Sequence, residues 1–287
     1  MGDSASPLLL RRRLRSELRT ARLNKDLTQE QVAKAMEWSL SKMNRIEKAK
    51  TGISANDLKA LLPLYGITDK KRTGELLDLA RAARRPGWWR QYSDVAPGRL
   101  LELIDTESAA SAVHQFETMF VPGILQTEEY ASAILQEFYS GNMPDENVKK
   151  LVELRTRRRD LLVGAEAPKF SFVLDESVVH RVVGNPAATS KQFRHLVSAA
   201  ELPSVTIQIV PFTAGLHPGM GGAFEVVEFD DTDDENIVYF EDRRGDFISD
   251  EPEEASRYLK AFQLIRDKSL APADSVALLR KAAAEMG

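Results

Sequence analysis

Apolar residues recur at helical spacing through the first 85 residues, and short polar turns separate the stretches. In the first stretch, Leu10, Leu14 and Leu18 lie four residues apart, which predicts a basic helix over about 8–23. Side chains that can cap helix N-termini mark four further helices. These are Thr28 (with Asp26 as a competitor), Ser39, Ser54 with Asn56 or Asp57, and Thr68 or Asp69. The pattern predicts an all-helical first domain of five helices over 8–86.

The periodicity changes after Pro86-Gly87, where helix-breaking residues interrupt it. We assign 87–102 to a linker and 103–287 to a second domain. Helical spacing predicts helices at 103–118, 127–139, 151–162, 251–268 and 272–284. Alternating apolar and polar residues predict strands at 170–174, 205–210, 224–229 and 237–240. This order of elements predicts an α+β domain with a small, mostly antiparallel sheet.

The segment from Gln29 to Glu47 has the spacing that a helix-turn-helix unit requires. Two helices that cross around a tight turn need apolar residues at fixed positions and a small residue at the crossing. Ala33 is the small residue, and the inward apolar positions are Val32, Met36, Trp38, Met43 and Ile46. The alternative is an ordinary helical hairpin. Against it, the outward positions of the second helix suit phosphates and base edges.

Charge divides the chain in the same place as the periodicity. Residues 1–90 contain 20 Lys and Arg against 10 Asp and Glu, a net charge of +10, whereas residues 91–287 contain 19 against 33, a net charge of −14. The total of −4 hides this asymmetry, which is typical of a basic nucleic-acid-binding module joined to an acidic one. The chain contains no cysteine, membrane-spanning apolar run or secretory signal, so we expect a cytoplasmic protein.

Two groups of motifs resemble known regulators. LTQEQVAKAMEWSLSKMNRIEKAKTGIS resembles the five-helix DNA-binding domain of XRE-type (Cro/repressor-like) regulators. The later motifs resemble the large regulatory domain of WhiJ-type actinomycete regulators. They are PGWWRQYSD, FETMFVPGILQTEEYASAIL, LDESVVHRVVG and SVTIQIVPFTAGLHPGMGGAFEVVEF. The resemblance covers about 10–280 and implies an antitoxin-like regulator, encoded beside a very small partner protein.

Two positions depart from the pattern of the family that this chain resembles. The family commonly has glycine where this chain has Glu37, in the turn, and Ala49, after the second helix of the pair. A non-glycine residue with positive φ costs on the order of 1 kcal/mol, so we expect strain or an altered turn there.

The resemblance also implies roles for single residues, because the second helix of the pair enters the major groove by its N-terminal end. Ser39, Leu40 and Ser41 are then nearest the base edges, with Leu40 limited to apolar contact such as a thymine methyl. Arg45 lies one turn further along the same face, where a bidentate contact to guanine is its natural option. Asn44 can contact adenine or a phosphate.

The remaining predicted contacts are to the DNA backbone. Gln29 begins the first helix of the pair, so its amide and the helix N-terminus both suit a phosphate. Lys42 is predicted to contact a phosphate. Glu47 is predicted to be a structural ion-pair partner, because phosphates repel a carboxylate. Arg11, Arg12 and Arg13 could reach flanking phosphates, whereas the arginines at 155 and 157–159 are expected to pair with acids of their own domain.

Enzyme chemistry finds little support in the sequence. The four histidines, His114, His180, His195 and His217, lack the spacing of a zinc site, so we expect no metal and no cofactor. The glycine-rich stretch 217–222 does not match a phosphate-binding loop, and the acidic run 230–235 is interpreted as a solvated hairpin.

We therefore predict a homodimeric transcriptional regulator that binds double-stranded DNA and is associated with the nucleoid. Dimerisation is expected because paired half-sites multiply the specificity of one recognition helix. The alternative is a protein–protein interaction module whose basic helical domain binds an acidic partner in place of DNA.

Overall fold

The computed structural model describes residues 6–49, 51–139, 142–164, 167–230, 236–242 and 245–287. The chain divides into two compact units, Met1–Arg90 and Gln91–Gly287. In the described residues, no helix combines the length and apolar character needed to cross a membrane.

The first unit is all-helical, as predicted. Its helices are α1 Pro7–Leu23, α2 Gln29–Ala35, α3 Leu40–Glu47, α4 Ala55–Leu64 and α5 Lys70–Ala82. Predicted caps are present at four of the helix starts, where Thr28, Ser39, Ser54 and Asp69 each accept a hydrogen bond from a backbone N–H three residues on. Thr28 and Gln31 also bond reciprocally in a capping box. Local hydrogen bonding thus sets where these helices begin.

The helices of the first unit enclose one apolar core. Leu14 and Leu18 of α1 pack with Val32 of α2, Met43 of α3 and Leu58 of α4, all nearly inaccessible to solvent. Of the predicted inward positions, Val32, Met43 and Ile46 are buried, whereas Met36 and Trp38 are partly buried against this core.

The second unit is an α+β domain, as predicted. Its helices are α6 Gly98–Glu107, α7 Glu128–Phe138, α8 Asp145–Arg158, α9 Ser177–His180, α10 Pro186–Ala199, α11 Pro252–Asp267 and α12 Pro272–Glu285. Its strands are β1 Ala112–Glu117, β2 Lys169–Asp175, β3 Val205–Val210, β4 Phe224–Glu228, β5 Ile237–Asp242 and β6 Gly245–Ser249.

In the described part of the chain the strands form a six-stranded mixed sheet, with the order β3-β2-β1-β4-β5-β6. Three strand pairs are antiparallel, namely β1 with β4, β4 with β5, and β5 with β6. β1 and β3 instead run parallel to β2. The carboxyl ends of β1, β2 and β3 therefore lie at the same edge of the sheet.

Helices cover both faces of the sheet. On one face, Tyr130 of α7, Phe193 of α10 and Leu279 of α12 join the core that contains Phe172 of β2. On the opposite face, Phe262 of α11 packs with residues of β1, β2, β3, β4 and β5. Because both faces of the sheet are covered, consecutive residues of the central strands are buried on opposite faces.

That double burial explains why one predicted helix is wrong. A helix was predicted over 103–118, but α6 ends at Glu107 and Ala112–Glu117 forms the central strand β1. Val113 and Phe116 lie three residues apart, as on a helix, because each is buried on a different face of the sheet. Pairing with β2 and β4 outweighs the local pattern.

Other differences concern elements that were not predicted, namely α9, α10 and β6. Helix α10 is rich in Ala, Ser and Thr, so its sequence has a weak apolar period. Most of the acidic hairpin predicted at 230–235 lies outside the described residues.

A charged cluster is buried beneath β4 and β5. Arg158 of α8 donates to Glu107 of α6 through Nε at 2.6 Å and Nη2 at 2.5 Å, and Glu225 of β4 faces the same pair. Burial, followed by the negative charge of Glu107, raises the pKa of Glu225 well above its ordinary value, while Arg158 opposes the rise. The ion pair confirms an intramolecular role for Arg158.

Candidate nucleic-acid interface

The turn between α2 and α3 is closed by a Schellman motif. Trp38 N–H donates to the Ala33 carbonyl at 2.8 Å, and Glu37 N–H donates to that of Lys34 at 3.3 Å. This motif requires a left-handed residue, and Glu37 provides it with φ of 54°. Ala49, which follows α3, has φ of 52°. The predicted strain at both non-glycine positions is confirmed.

The N-terminus of α3 is formed by Ser39, whose Oγ accepts from Lys42 N–H at 3.1 Å. The hydroxyl hydrogen of Ser39 remains available as a donor. Leu40 and Ser41 follow in the first turn, and both are exposed, with 45% of Leu40 accessible. The three residues predicted to approach base edges therefore share one accessible helix end.

Helix α3 is sharply two-sided. Met43 and Ile46 face the core, whereas Asn44 and Arg45 are exposed beyond Ser41. Over Leu40–Glu47, the exposed residues are uncharged or basic, because Glu47, the acid of this helix, is buried. Its exposed face can donate hydrogen bonds and carries no carboxylate that phosphates would repel.

Glu47 is held by two donors from other helices. Arg22 of α1 donates to it through Nε at 2.6 Å and Nη2 at 3.1 Å, while Arg22 Nη1 donates to the Leu27 carbonyl at 2.6 Å. Gln29 Nε2 also donates to Glu47, at 2.6 Å. The predicted structural role of Glu47 is confirmed. One amide hydrogen of Gln29 is thereby used, and the second remains available as a donor.

Glu47 contributes to raised pKa values in two neighbouring groups. Hydrogen bonding to Glu47 is the largest cause that raises the pKa of Arg22. Nearby, burial and then the charge of Glu47 raise the pKa of Tyr65 well above its ordinary value, so its phenol stays protonated. α1, α2 and α3 are therefore joined by a fixed, charged contact beneath the exposed face.

Lys42 is positioned by two neighbours. Its Nζ lies 3.1 Å from Asp57 Oδ2 on α4 and 4.2 Å from the ring centroid of Trp38. This half-buried ammonium is partly neutralised by Asp57, a partner that the sequence did not predict. The backbone contact predicted for Lys42 must compete with Asp57.

The structure thus places all seven predicted site residues on α3 or at the start of α2 and α3. These are Gln29, Ser39, Leu40, Ser41, Lys42, Asn44 and Arg45. The sequence did not reveal the supporting roles of Arg22 and Asp57, which lie 25 and 15 residues from their partners. The charges of these residues could have suggested that they form ion pairs, but not which residue pairs with which.

Comparisons with known families agree with this geometry. Residues 13–76 match a helix-turn-helix domain, the DNA-binding domain of transcriptional regulators. Residues 100–281 match a domain of unknown function (DUF5753). Neither a curated protein nor a solved structure matches the chain. The second match covers more than half of the chain, which therefore belongs to the DUF5753 family and carries a helix-turn-helix domain at its N-terminal end.

Proposed function

We propose that this protein is a sequence-specific transcriptional regulator of the XRE type, whose helix α3 reads the major groove of double-stranded DNA. Ser39, Leu40 and Ser41 approach base edges, Arg45 bonds a guanine, and Asn44 bonds adenine or a phosphate. Gln29 and Lys42 fix the register on the DNA backbone. The protein acts in the cytoplasm, on the nucleoid.

One observation carries the proposal: the exposed face of α3 is free of carboxylates because Glu47 is turned inward to Arg22. On an ordinary solvent-exposed helix, an acidic side chain stays hydrated and has no desolvation cost. Here the acid is buried and paired, which leaves a face of hydroxyl, amide and guanidinium groups. Such a face complements phosphate oxygens and base edges.

The test begins with selection of random DNA duplexes on the full-length protein, followed by sequencing. A shared motif is expected among the selected duplexes. Titration of the best duplex at increasing salt should then show affinity falling about 10³–10⁵-fold between 50 and 200 mM, the range for roughly 6–10 phosphate contacts. Arg45→Ala should relax the selected preference at one base position in each half-site. Arg81→Ala removes a charge paired with Asp78 on α5 and is the matched control.

A lack of enrichment, or a shallow salt dependence, would contradict the proposal. If the first unit binds an acidic protein in place of DNA, selection from the random library should yield no shared motif. Equal losses for Arg45→Ala and Arg81→Ala would show that α3 does not read the sequence.

We further infer that the acidic second unit controls the DNA-binding unit as part of an antitoxin-like pair. The sequence resemblance to WhiJ-type regulators supports a very small protein, encoded nearby, as its partner. Coupling must be reciprocal, so a partner that weakens operator binding is itself bound more weakly in the presence of operator, by the same factor. Titration of the neighbouring small proteins with and without the selected duplex tests this; equal affinities would exclude coupling.

A further inference from the structure

A cavity of about 970 Å³ opens between three helices of the second unit. It is lined by α7 within 128–136, by α8 within 149–156 and by the start of α10 within 184–191. We call this cavity the helix cleft. Its volume lies at the upper end of the range of about 300–1,000 Å³ that is typical of small-molecule sites, and such sites are often found between packed helices.

Contacts between the helices fix the walls of the helix cleft. Gln192 of α10 is fully buried, and its Oε1 accepts from Thr127 N–H at 2.6 Å, which holds α10 against the N-terminus of α7. Gly184, just before α10, has φ of 71°, and a Cβ there would lie 3.0 Å from the Cβ of Ala133 on α7. The glycine therefore permits a close approach of this loop to α7. A cleft that is formed before the ligand arrives lowers the free-energy cost of binding.

The ionisable side chains of the helix cleft carry both signs of charge. Lys191 of α10 donates to Glu129 of α7, so these two groups neutralise each other. Glu128 of α7 and Lys149 of α8 also line the cleft, and neither forms an ion pair with another residue that the structure describes. A carboxylate and an ammonium are therefore available for a ligand that carries the complementary groups.

The composition of the lining distinguishes between classes of ligand. None of the residues that line this described cavity is aromatic, so a nucleobase finds no ring on which to stack. None is arginine, the side chain best suited to a bidentate bond with phosphate. The uncharged polar groups are amides and hydroxyls, from Gln136, Asn185, Ser132 and Thr156. Such a lining complements the backbone groups and the two charged termini of a short peptide.

Helix α8 also anchors residues 91–96, the segment through which the chain enters the second unit. Lys150 Nζ donates to Asp94 Oδ2 at 2.8 Å. Tyr92 is buried, and burial, followed by hydrogen bonding to Glu153 of α8, raises the pKa of its phenol. Glu153 lines the helix cleft as well. One carboxylate therefore belongs both to the cleft and to the anchor of the entering segment.

We propose that the helix cleft binds a short peptide with free termini, and that Glu153 transmits the occupancy of the cleft to residues 91–96. Glu128 accepts from the ammonium of the peptide, Lys149 donates to its carboxylate, and a peptide N–H donates to Glu153. The bound peptide fixes the carboxylate of Glu153, which then holds Tyr92 more firmly. This inference goes beyond the proposed function, and only its consequence for DNA binding rests on that function.

The binding test screens the full-length protein against pools of tripeptides with free termini by thermal shift, and then titrates the best tripeptide by calorimetry. Lys149→Gln should raise the dissociation constant about 10–100-fold, the usual loss when a hydrogen bond to a charged group is removed. Amidation of the peptide carboxylate should cause a similar loss, and the two losses should not add, because both remove the same contact. Lys260→Gln, at an exposed lysine of α11, is the matched control and should leave the dissociation constant unchanged.

Two substitutions at one position test whether the peptide binds in the helix cleft. Ala187 is exposed in the first turn of α10, so Ala187→Trp should fill the cleft and abolish binding, whereas Ala187→Ser should preserve it. Unchanged far-UV circular dichroism would show that both variants fold. The proposal is wrong if no free-ended pool binds, or if binding survives Ala187→Trp. It is also wrong if Ala187→Trp blocks a small protein encoded nearby while no tripeptide binds, because the cleft would then be a groove for a protein partner.

Hydrogen exchange tests the transmission through Glu153. The amides of 91–96 should exchange more slowly with the tripeptide bound, and Tyr92→Phe should remove this slowing while the peptide still binds. Exchange that the peptide leaves unchanged in the wild-type protein, or slows equally in Tyr92→Phe, would exclude transmission. Neither measurement uses DNA, so failure here is distinguishable from failure of the proposed function. Peptide binding without a selected DNA motif would support the cleft alone, and a selected motif without peptide binding would support the regulator alone.

Discussion

Arg22 and Glu47 form a buried, two-pronged ion pair between α1 and α3, with the Nε–Oε1 distance at 2.6 Å and the Nη2–Oε2 distance at 3.1 Å. The pair removes the acid of α3 from the surface that faces outward, and it ties that helix to the rest of the first unit. One contact therefore contributes to stability and to the electrostatics of the candidate interface.

Glu47→Gln should destabilise the first unit by about 3–5 kcal/mol, because it leaves the buried Arg22 guanidinium without its counter-charge. All three tryptophans lie at 38, 88 and 89, so fluorescence during denaturation reports on this unit. Glu75→Gln removes a half-exposed partner of Arg72 and should cost less than about 1 kcal/mol. Similar losses for both variants would contradict a structural role for the buried pair.

Glu37→Gly should stabilise the first unit by up to about 1 kcal/mol, because glycine adopts positive φ without steric cost. The gain is partly offset by the greater freedom of glycine in the unfolded chain. Ala60→Gly is the matched control within α4, where glycine should cost about 1 kcal/mol. Denaturation curves followed by tryptophan fluorescence measure both; a loss with Glu37→Gly would mean that its side chain makes a stabilising contact.

Arg45→Ala should cost about 1–3 kcal/mol of binding on the best duplex and relax the preference at one base position in each half-site. Lys42→Ala should weaken binding to all sequences about equally, because a phosphate contact carries no sequence information. Fluorescence anisotropy on matched and mismatched duplexes separates the two effects. Uniform losses for both variants would mean that α3 docks in another register.

Asp57→Asn should strengthen DNA binding uniformly at low salt. It removes a carboxylate and frees the Lys42 ammonium, which lies 3.1 Å from Asp57. The same titrations measure the change, and the gain should disappear in the double variant with Lys42→Ala. A gain that persists without Lys42 would mean that Asp57 acts on DNA directly.

Glu225→Gln should change how stability depends on pH. The pKa of Glu225 is raised in the folded state, so the folded protein binds this proton more tightly than the unfolded chain does. The resulting contribution to stability is fully present below the unfolded pKa of about 4.3 and is lost as pH rises towards the folded pKa. The variant keeps a neutral side chain throughout. The stability of Glu225→Gln relative to wild type should therefore increase as pH rises from the unfolded to the folded pKa of Glu225. Denaturation followed by far-UV circular dichroism measures this difference.

Glu129→Gln is the control of opposite sign. Hydrogen bonding to Lys191 lowers the pKa of Glu129, so its contribution is present above the unfolded value and is lost as pH falls. The stability of this variant relative to wild type should decrease as pH rises. Parallel curves for the two variants would exclude a protonated Glu225 in the folded protein.

Elements whose signals are local could be predicted from the residues alone. The cap residues and the apolar spacing from Val32 to Ile46 act within one or two helical turns, so the helix-turn-helix unit could be predicted. The α+β character of the second unit followed in the same way from alternating strands. The positive φ at Glu37 was implied by the resemblance to a family that commonly has glycine there.

Features that depend on residues far apart in the chain could be recognised only in the folded protein. β1 is a strand because β2 and β4 pair with it on both sides, although Val113 and Phe116 have helical spacing. Arg22 selects Glu47 across 25 residues, and parallel pairing brings the carboxyl ends of β1, β2 and β3 to one edge of the sheet. Such contacts form when chain closure brings distant segments together, and no local pattern specifies which segments will meet.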